Sequence, residues 1–301
     1  MSTTLDRGVF AAALTPIGRD LAPDHAAFLE HCRWLLANGC DGLGILGTTG
    51  EANSLSLDQR LALIETATAN LPPHRLLPGT GACAVADVVR LSRACLSGGA
   101  FSVLVLPPFY YKPITDDGVF TFFAQAIETI ADDRLRLYLY NFPRMTTYAF
   151  SPEVIERLMK RFGPIVAGIK DSAGDWESMR SMQRRFPTLR VFAGTEVHLL
   201  ALLREGGAGC ISATANVTSA LCQKLLAAWR AKDAGADALQ ARLTELRQAL
   251  QAYPAIPALK RLTERRTGNS AWRAVLPPFQ AMSDEVFAPL AADLKRLGAG
   301  D

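Results

Sequence analysis

A short apolar run followed by a stretch of helical period recurs eight times between residues 8 and 232, and this alternation confines the chain to a parallel α/β architecture. The runs fall at 8–14, 42–46, 75–78, 101–106, 135–140, 165–169, 190–193 and 209–212. Their near-continuous apolar character, as in Gly8 through Leu14, suits strands covered on both faces. The intervening helices mark their own starts. Asp24 precedes apolar positions Phe28, Leu29, Cys32, Leu35 and Leu36, Ser56 and Gln59 have the spacing of a capping box, and Ser151-Pro152 supplies a cap with proline at the first helical position.

Eight strand–helix units close a parallel barrel, so the sequence predicts an α/β chain: a (β/α)8 TIM barrel over residues 1–232 as the catalytic domain. From about residue 234 the strands stop. Helices expected at 239–250, 256–266 and 283–297 make residues 233–301 a C-terminal helical extension, serving as an oligomer contact or a brace. An open doubly wound sheet is the competing architecture and wants a glycine-rich phosphate loop after its first strand. Leu14-Thr15-Pro16-Ile17-Gly18 is not such a loop, and Gly79-Thr80-Gly81 is a fragment of one at the wrong strand.

Charge and cysteine usage narrow the function classes. A net charge of +3, with acids and bases interspersed, shows no basic face for nucleic acid. The six cysteines form no C-x-x-C and the four histidines (His25, His31, His74, His198) no paired spacing, so neither a disulfide framework nor a metal site is expected, and the histidines are given no chemistry. The first seven residues lack the apolar centre of a signal peptide, and no apolar run approaches the roughly 20 residues that span a bilayer. A cytoplasmic protein is expected.

In such a barrel the chemistry sits where strands end. Those positions hold Thr15, Thr48, Thr49, residues 107–112, Tyr140, Asn141, Lys170, residues 194–196 and residues 212–216: many hydroxyls and one well-placed amine. A carboxylate pair, a metal cluster and an Arg or Lys after strands seven and eight are all missing from that set. Lys170 has two readings. Its stem lies on apolar neighbours with the ammonium in water, or the amine is enclosed at the strand end and serves as a nucleophile towards a ketone. Thr48-Thr49 is an ordinary tight turn or a receptor for a small carboxylate. Tyr140 is a buried phenol or passes protons beside Lys170, since their strands are neighbours, and Tyr110 and Tyr111 pack a rigid loop or reach the site.

Four stretches, in order, carry a resemblance: Gly47-Thr48-Thr49-Gly50-Glu51, Tyr140-Asn141-Phe142-Pro143, Gly168-Ile169-Lys170-Asp171-Ser172 and the Gly206-Gly207 to Asn216-Val217 segment. Together they resemble the dihydrodipicolinate synthase / N-acetylneuraminate lyase family of class I, pyruvate-dependent aldolases. The resemblance implies that Lys170 forms an imine with pyruvate or a related 2-oxo acid. It implies that Thr48 and Thr49 hold the carboxylate, that Tyr140 and Thr48 relay protons, and that Tyr110 completes the relay from a neighbouring subunit. Gly47, Gly194 and Ile211 match substrate-binding positions. The implied chemistry needs no metal, nucleotide or flavin, and the implied assembly is a homodimer or homotetramer.

The departures matter as much. Where the synthases carry an arginine for a substrate carboxylate this chain has Met145, with Arg144 beside it, and where lysine-regulated members bind effector it has Leu57, Cys83 and Phe109. Sialic acid lyases usually have serine-threonine in the first loop and an acidic pair in the seventh, against Thr48-Thr49 and Gly194-Thr195-Glu196-Val197 here. The expected function is therefore a Schiff-base lyase, aldolase or dehydratase acting on another 2-oxo acid, sugar-derived ones included. The alternatives are 4-hydroxy-tetrahydrodipicolinate synthase and a non-catalytic small-molecule-binding member.

Overall fold

The computed structural model describes residues 7–297; the segment read for a targeting signal, apart from Arg7, lies outside the described residues. Seven parallel strands, β1 (Gly8–Ala12), β2 (Gly42–Gly44), β3 (Ser102–Val105), β4 (Arg136–Asn141), β5 (Val166–Asp171), β6 (Arg190–Ala193) and β7 (Gly209–Ser212), run in the order β2-β1-β7-β6-β5-β4-β3. The helices between them are α1 (His25–Ala37), α2 (Leu57–Asn70), α3 (Val85–Ser97), α4 (Asp116–Ile130), α5 (Pro143–Thr146), α6 (Pro152–Phe162), α7 (Trp176–Arg185), α8 (Leu199–Arg204) and α9 (Ala215–Arg230). Asp24, Ser56 and Ser151 cap α1, α2 and α6 as their spacing predicts, Ser56 and Gln59 forming both halves of a capping box.

The expected third strand is the one place where the barrel differs from the sequence reading. Residues 73–75 form a 3-10 turn instead, and residues 76–80 run extended between β2 and β3 without becoming a full ladder. Leu77 N donates to Leu43 O (2.8 Å) and Gly79 N to Ile45 O (2.7 Å) on one side, while Thr80 N donates to Leu104 O (3.0 Å) and Leu104 N to Pro78 O (2.9 Å) on the other. Pro78 has no N–H, which interrupts the pairing. This segment takes the eighth place in the ring. A Cβ on Gly79 would lie 2.2 Å from Leu46 O, so only glycine lets the two backbones meet there.

Although the strands read as continuous apolar runs, their side chains divide by parity. Phe10, Leu77, Leu104, Tyr138, Phe192 and Ile211 fill the barrel interior. Val9, Ala11, Leu43, Val103, Ile169 and Val191 face outward against the helices. The C-terminal helices α10 (Ala236–Gln251), α11 (Ala255–Thr267) and α12 (Asp284–Arg296) form a separate cluster in which Leu246, Leu250, Leu259, Trp272 and Leu290 surround Leu14 from the end of β1. Among the described residues, no helix is long and apolar enough to cross a membrane.

A buried polar staple joins these layers. Asn216, at the start of α9, donates to Ala12 O (2.8 Å) and Ala213 O (2.7 Å), and its Oδ1 receives Leu14 N (3.3 Å) and His31 Nε2 (2.8 Å). Arg266 Nη2 lies 3.0 Å from His31 Nδ1, and because a guanidinium only donates, the imidazole proton must be on Nε2. Burial pushes the His31 pKa down from 6.5 to about 4, opposed by the Asn216 bond and assisted by Arg266. The folded pKa lies below the unfolded one, so the neutral ring stabilises the fold above pH 6.5, and that contribution disappears as pH falls towards 4. We expect denaturant titrations to lose about 3 kcal/mol more between pH 7 and pH 4 in the wild type than in His31→Gln. Parallel pH dependence in the two proteins would contradict this.

Candidate active site

Strand register delivers the amine. β4 and β5 set Tyr140 opposite Lys170, and β5 and β6 set Lys170 opposite Phe192. Opposed residues on neighbouring parallel strands share a face, and Tyr140 and Phe192 both belong to the interior cluster. Lys170 is therefore directed into the upper barrel. Its side chain is enclosed, the residue being 5% exposed, and Nζ donates to Tyr140 Oη at 3.2 Å while lying 4.2 Å from the centre of that ring. No carboxylate forms an ion pair with it among the described residues. The solvated reading of Lys170 is excluded.

One residue further on, parity turns Asp171 away from the interior. Its carboxylate receives Asn141 Nδ2 (3.0 Å) and Ala173 N (2.9 Å), which fixes the loop leaving β5. Burial raises the Asp171 pKa, and the bond from Asn141 opposes the rise. Gly194 N donates to Asp171 O at 2.6 Å, and a Cβ on Gly194 would sit 2.1 Å from Ser172 Oγ. Glycine is required where these two loops touch.

The threonine turn is held at both ends in unusual backbone. Leu46 and Glu51 adopt left-handed φ values of 53° and 55°, a conformation that costs a non-glycine residue about 1–3 kcal/mol and persists only where surrounding contacts hold it. Gly50 N and Glu51 N close the turn onto Gly47 O and Thr48 O, both at 3.1 Å. Glu51 then forms an ion pair with Lys260 of α11 and receives Leu276 N at 2.7 Å, tying the turn to the C-terminal helices.

Above these groups lies a cavity of about 500 Å³, lined by Thr48, Thr49, Tyr140, Lys170 and Gly194 among others. The sequence reading placed these five at the strand ends, and the fold brings them together. Gly47 lies beside them, in a small recess next to Thr48 and Tyr140. Ile211 is packed in the barrel interior beneath the cavity. Tyr110 stays outside it, 75% exposed and edge-on to Tyr111 at 5.2 Å; within one chain it does not join Lys170.

Four further lining residues lie outside the strand-end set, of which Arg144 and Met145 enter the sequence analysis only through the resemblance and His198 and Arg247 are given no role there. His198, assigned no chemistry from the sequence, ends a 3-10 turn, stacks on Trp176 at 5.6 Å and faces the cavity, and burial lowers its pKa while Asp171 opposes that shift. Arg144 and Met145 stand together at the mouth, with Met145 57% exposed. Arg247, on α10, also reaches the cavity. Beside it the buried Glu196 carboxylate receives the hydroxyls of Ser212 (2.7 Å), Thr214 (2.5 Å) and Thr218 (3.0 Å). The sequence shows nothing on α10 that separates Arg247 from the other basic residues of an amphipathic helix.

Comparison with known proteins agrees with this geometry. Residues 6–297 match the model of the dihydrodipicolinate synthetase family. The chain is 33% identical to an uncharacterized DapA-like lyase of Chloroflexus aurantiacus over 98% of both chains. It is 32% identical to a 4-hydroxy-tetrahydrodipicolinate synthase of Agrobacterium fabrum over 97% of this chain and 98% of that one. Among solved structures, YagE, a prophage protein of the dihydrodipicolinic acid synthase family from E. coli K12 in complex with pyruvate, superposes with a TM-score of 0.90 at 27% identity, covering 98% of this chain and all of that one. A barrel with an enclosed lysine at the end of its fifth labelled strand, matched along its whole described length by these relatives, belongs to the dihydrodipicolinate synthetase family.

Proposed function

We propose that this enzyme is a class I, Schiff-base lyase or aldolase whose Lys170 forms an imine with pyruvate or a related 2-oxo acid. The observation that carries the reading is the enclosed Lys170 Nζ, 3.2 Å from Tyr140 Oη, in a cavity shared with Thr48 and Thr49. The unprotonated amine adds to C2 of the oxo acid, and loss of water from the carbinolamine leaves an iminium. That cation draws electrons from the adjacent carbon, so either C3 loses a proton, or the C3–C4 bond breaks as the hydroxyl on C4 gives up its proton and C4 leaves as an aldehyde; both give the enamine. The imine itself is the electron sink, so the cycle draws on no metal or organic cofactor. Tyr140 Oη is placed to carry protons to and from the carbinolamine, with Thr48 next to it in the relay. Thr49 and the glycines Gly47 and Gly194 frame the substrate.

The same reading assigns residues 1–232 the chemistry and residues 233–301 the role of wall and brace. Tyr110 serves the site of a neighbouring subunit in a dimer or tetramer, a role supported by its exposure and that of Tyr111. The cytoplasm is the proposed location. A second reading, 4-hydroxy-tetrahydrodipicolinate synthase, is favoured by the name of the Agrobacterium relative. Met145 speaks against the usual form of that site, because a thioether offers a carboxylate no charge-assisted bond at that position, and any such bond in this cavity falls to another basic side chain. Turnover of pyruvate with aspartate semialdehyde decides between the two.

The decisive experiment is borohydride trapping. Incubation with pyruvate followed by reduction should add one reduced pyruvate unit to the peptide containing Lys170, seen by mass spectrometry. An unmodified Lys170 peptide sinks the proposal and leaves a non-catalytic binding protein.

A further inference from the structure

The C-terminal extension gives the cavity a wall of Arg247, Gln251, Ala255, Ile256, Pro257 and Phe279, and Arg247, from α10, is its charged member, extending to the loop that follows β7. There Nη1 donates to Thr214 Oγ1 at 3.0 Å, with Ser212 Oγ at 3.5 Å and Glu196 Oε2 at 3.8 Å. The contact with Glu196 is long, and the geometry explains why: both carboxylate oxygens already receive hydroxyls from Ser212, Thr214 and Thr218. Arg247 is thus oriented by hydroxyls and only partly neutralised. A guanidinium has five donors in a planar fork, and among the described residues only those on Nη1 find acceptors; Nε is enclosed without one. The side chain keeps 20% exposure, on the cavity side.

The remaining charges in the cavity add to this imbalance. Arg144 lines it with no ion pair to a carboxylate among the described residues, and Asp171 has both oxygens committed to Asn141 and Ala173. β7 lies two strands from β5 around the ring, so Arg247 faces the cavity from a different side than Lys170. It is placed for a group at the far end of a substrate whose C2 is at Lys170.

We propose that Arg247 is a specificity-determining residue that holds a second anionic group, a carboxylate or phosphate, at the end of the substrate remote from the 2-oxo acid. The assignment rests on the imine reading of Lys170 and adds the substrate class: the aldehyde joined to, or released from, pyruvate carries a terminal anion. Ser212 and Thr214 orient the guanidinium, and Glu196 holds those hydroxyls in place. These three are positioning residues.

The test is condensation of pyruvate with aldehydes of equal length ending in carboxylate, phosphate or hydroxymethyl, in the wild type, Arg247→Gln and Arg247→Lys. The wild type should prefer an anionic acceptor, and its better anion identifies the group as carboxylate or phosphate. Arg247→Gln should lower the ratio of kcat/KM for that acceptor to kcat/KM for the hydroxymethyl one by about 10- to 100-fold, the loss of one charge-assisted bond, mostly through KM. Arg247→Lys, which keeps a charge beside Glu196, should lose less, and it carries the comparison if the glutamine variant does not fold. Equal losses for charged and uncharged acceptors, or a wild type indifferent to the terminal charge, overturn the proposal. Trapping with pyruvate alone, run on the wild type, separates this failure from failure of the imine reading, because that step needs no acceptor.

Discussion

Lys170→Arg should abolish turnover, lowering kcat roughly 10⁴-fold or more, the scale seen when a covalent nucleophile is removed. The substitution retains the charge and removes the chemistry, because a guanidinium stays protonated and does not form an imine. It therefore separates two uses of an enclosed cation. A lysine that only stabilised a developing oxyanion would be replaced in part by arginine, and removal of one such donor costs about 10²–10³. Lys170 is packed against the Tyr140 ring at 4.2 Å, so the longer side chain risks overpacking, and Lys170→Met, of similar length and uncharged, is the companion. Both variants should give no borohydride adduct and retain a cooperative unfolding transition. An arginine variant within tenfold of wild-type turnover would show that no imine forms at this position.

Parts of this site were legible because they depend on strand order alone. Once β4 and β5 are neighbours, the ends of their apolar runs put Tyr140 opposite Lys170, and the observed register pairs those two residues. The threonine turn follows from the same rule at the end of β2. Legibility stops where position depends on tertiary return. Arg247 enters the cavity only because α10 packs back over the barrel, and an arginine on an amphipathic helix has no local mark of its destination. His198 has no paired spacing to mark it in the sequence, but it closes a single 3-10 turn after Gly194, close enough to the strand end to face the cavity. The expected third strand is extended backbone at residues 76–80 and not a full ladder, because Pro78 has no N–H to donate. Glu51 stands in the Gly47–Glu51 motif, whereas nothing local in the expected helix at 256–266 marks Lys260 as its partner.

That partner carries the second large effect: Lys260→Met should destabilise the protein by about 3–5 kcal/mol. The side chains of Lys260 and Glu51 are both 0% exposed, and Lys260 also donates to Ala274 O at 2.7 Å. Burial lowers the Lys260 pKa even though Glu51 pulls the other way, so the pair gains little over an apolar equivalent of the same shape. Removing one member is a different matter, since it leaves a carboxylate in the interior with Leu276 N as its remaining donor. The double variant Lys260→Met/Glu51→Gln should therefore recover a substantial part of the loss, which a simple sum of two deletions does not permit. The effect should also reach the site. Glu51 closes the threonine turn in left-handed backbone, and this strained geometry depends on its anchor in α11 and the loop at Leu276. At temperatures where the single variant remains folded, KM for the 2-oxo acid should rise because Thr48 and Thr49 are no longer fixed. A Lys260→Met protein within 1 kcal/mol of wild type in denaturant, with unchanged KM, would mean that the C-terminal helices only cover the barrel and do not hold its threonine turn.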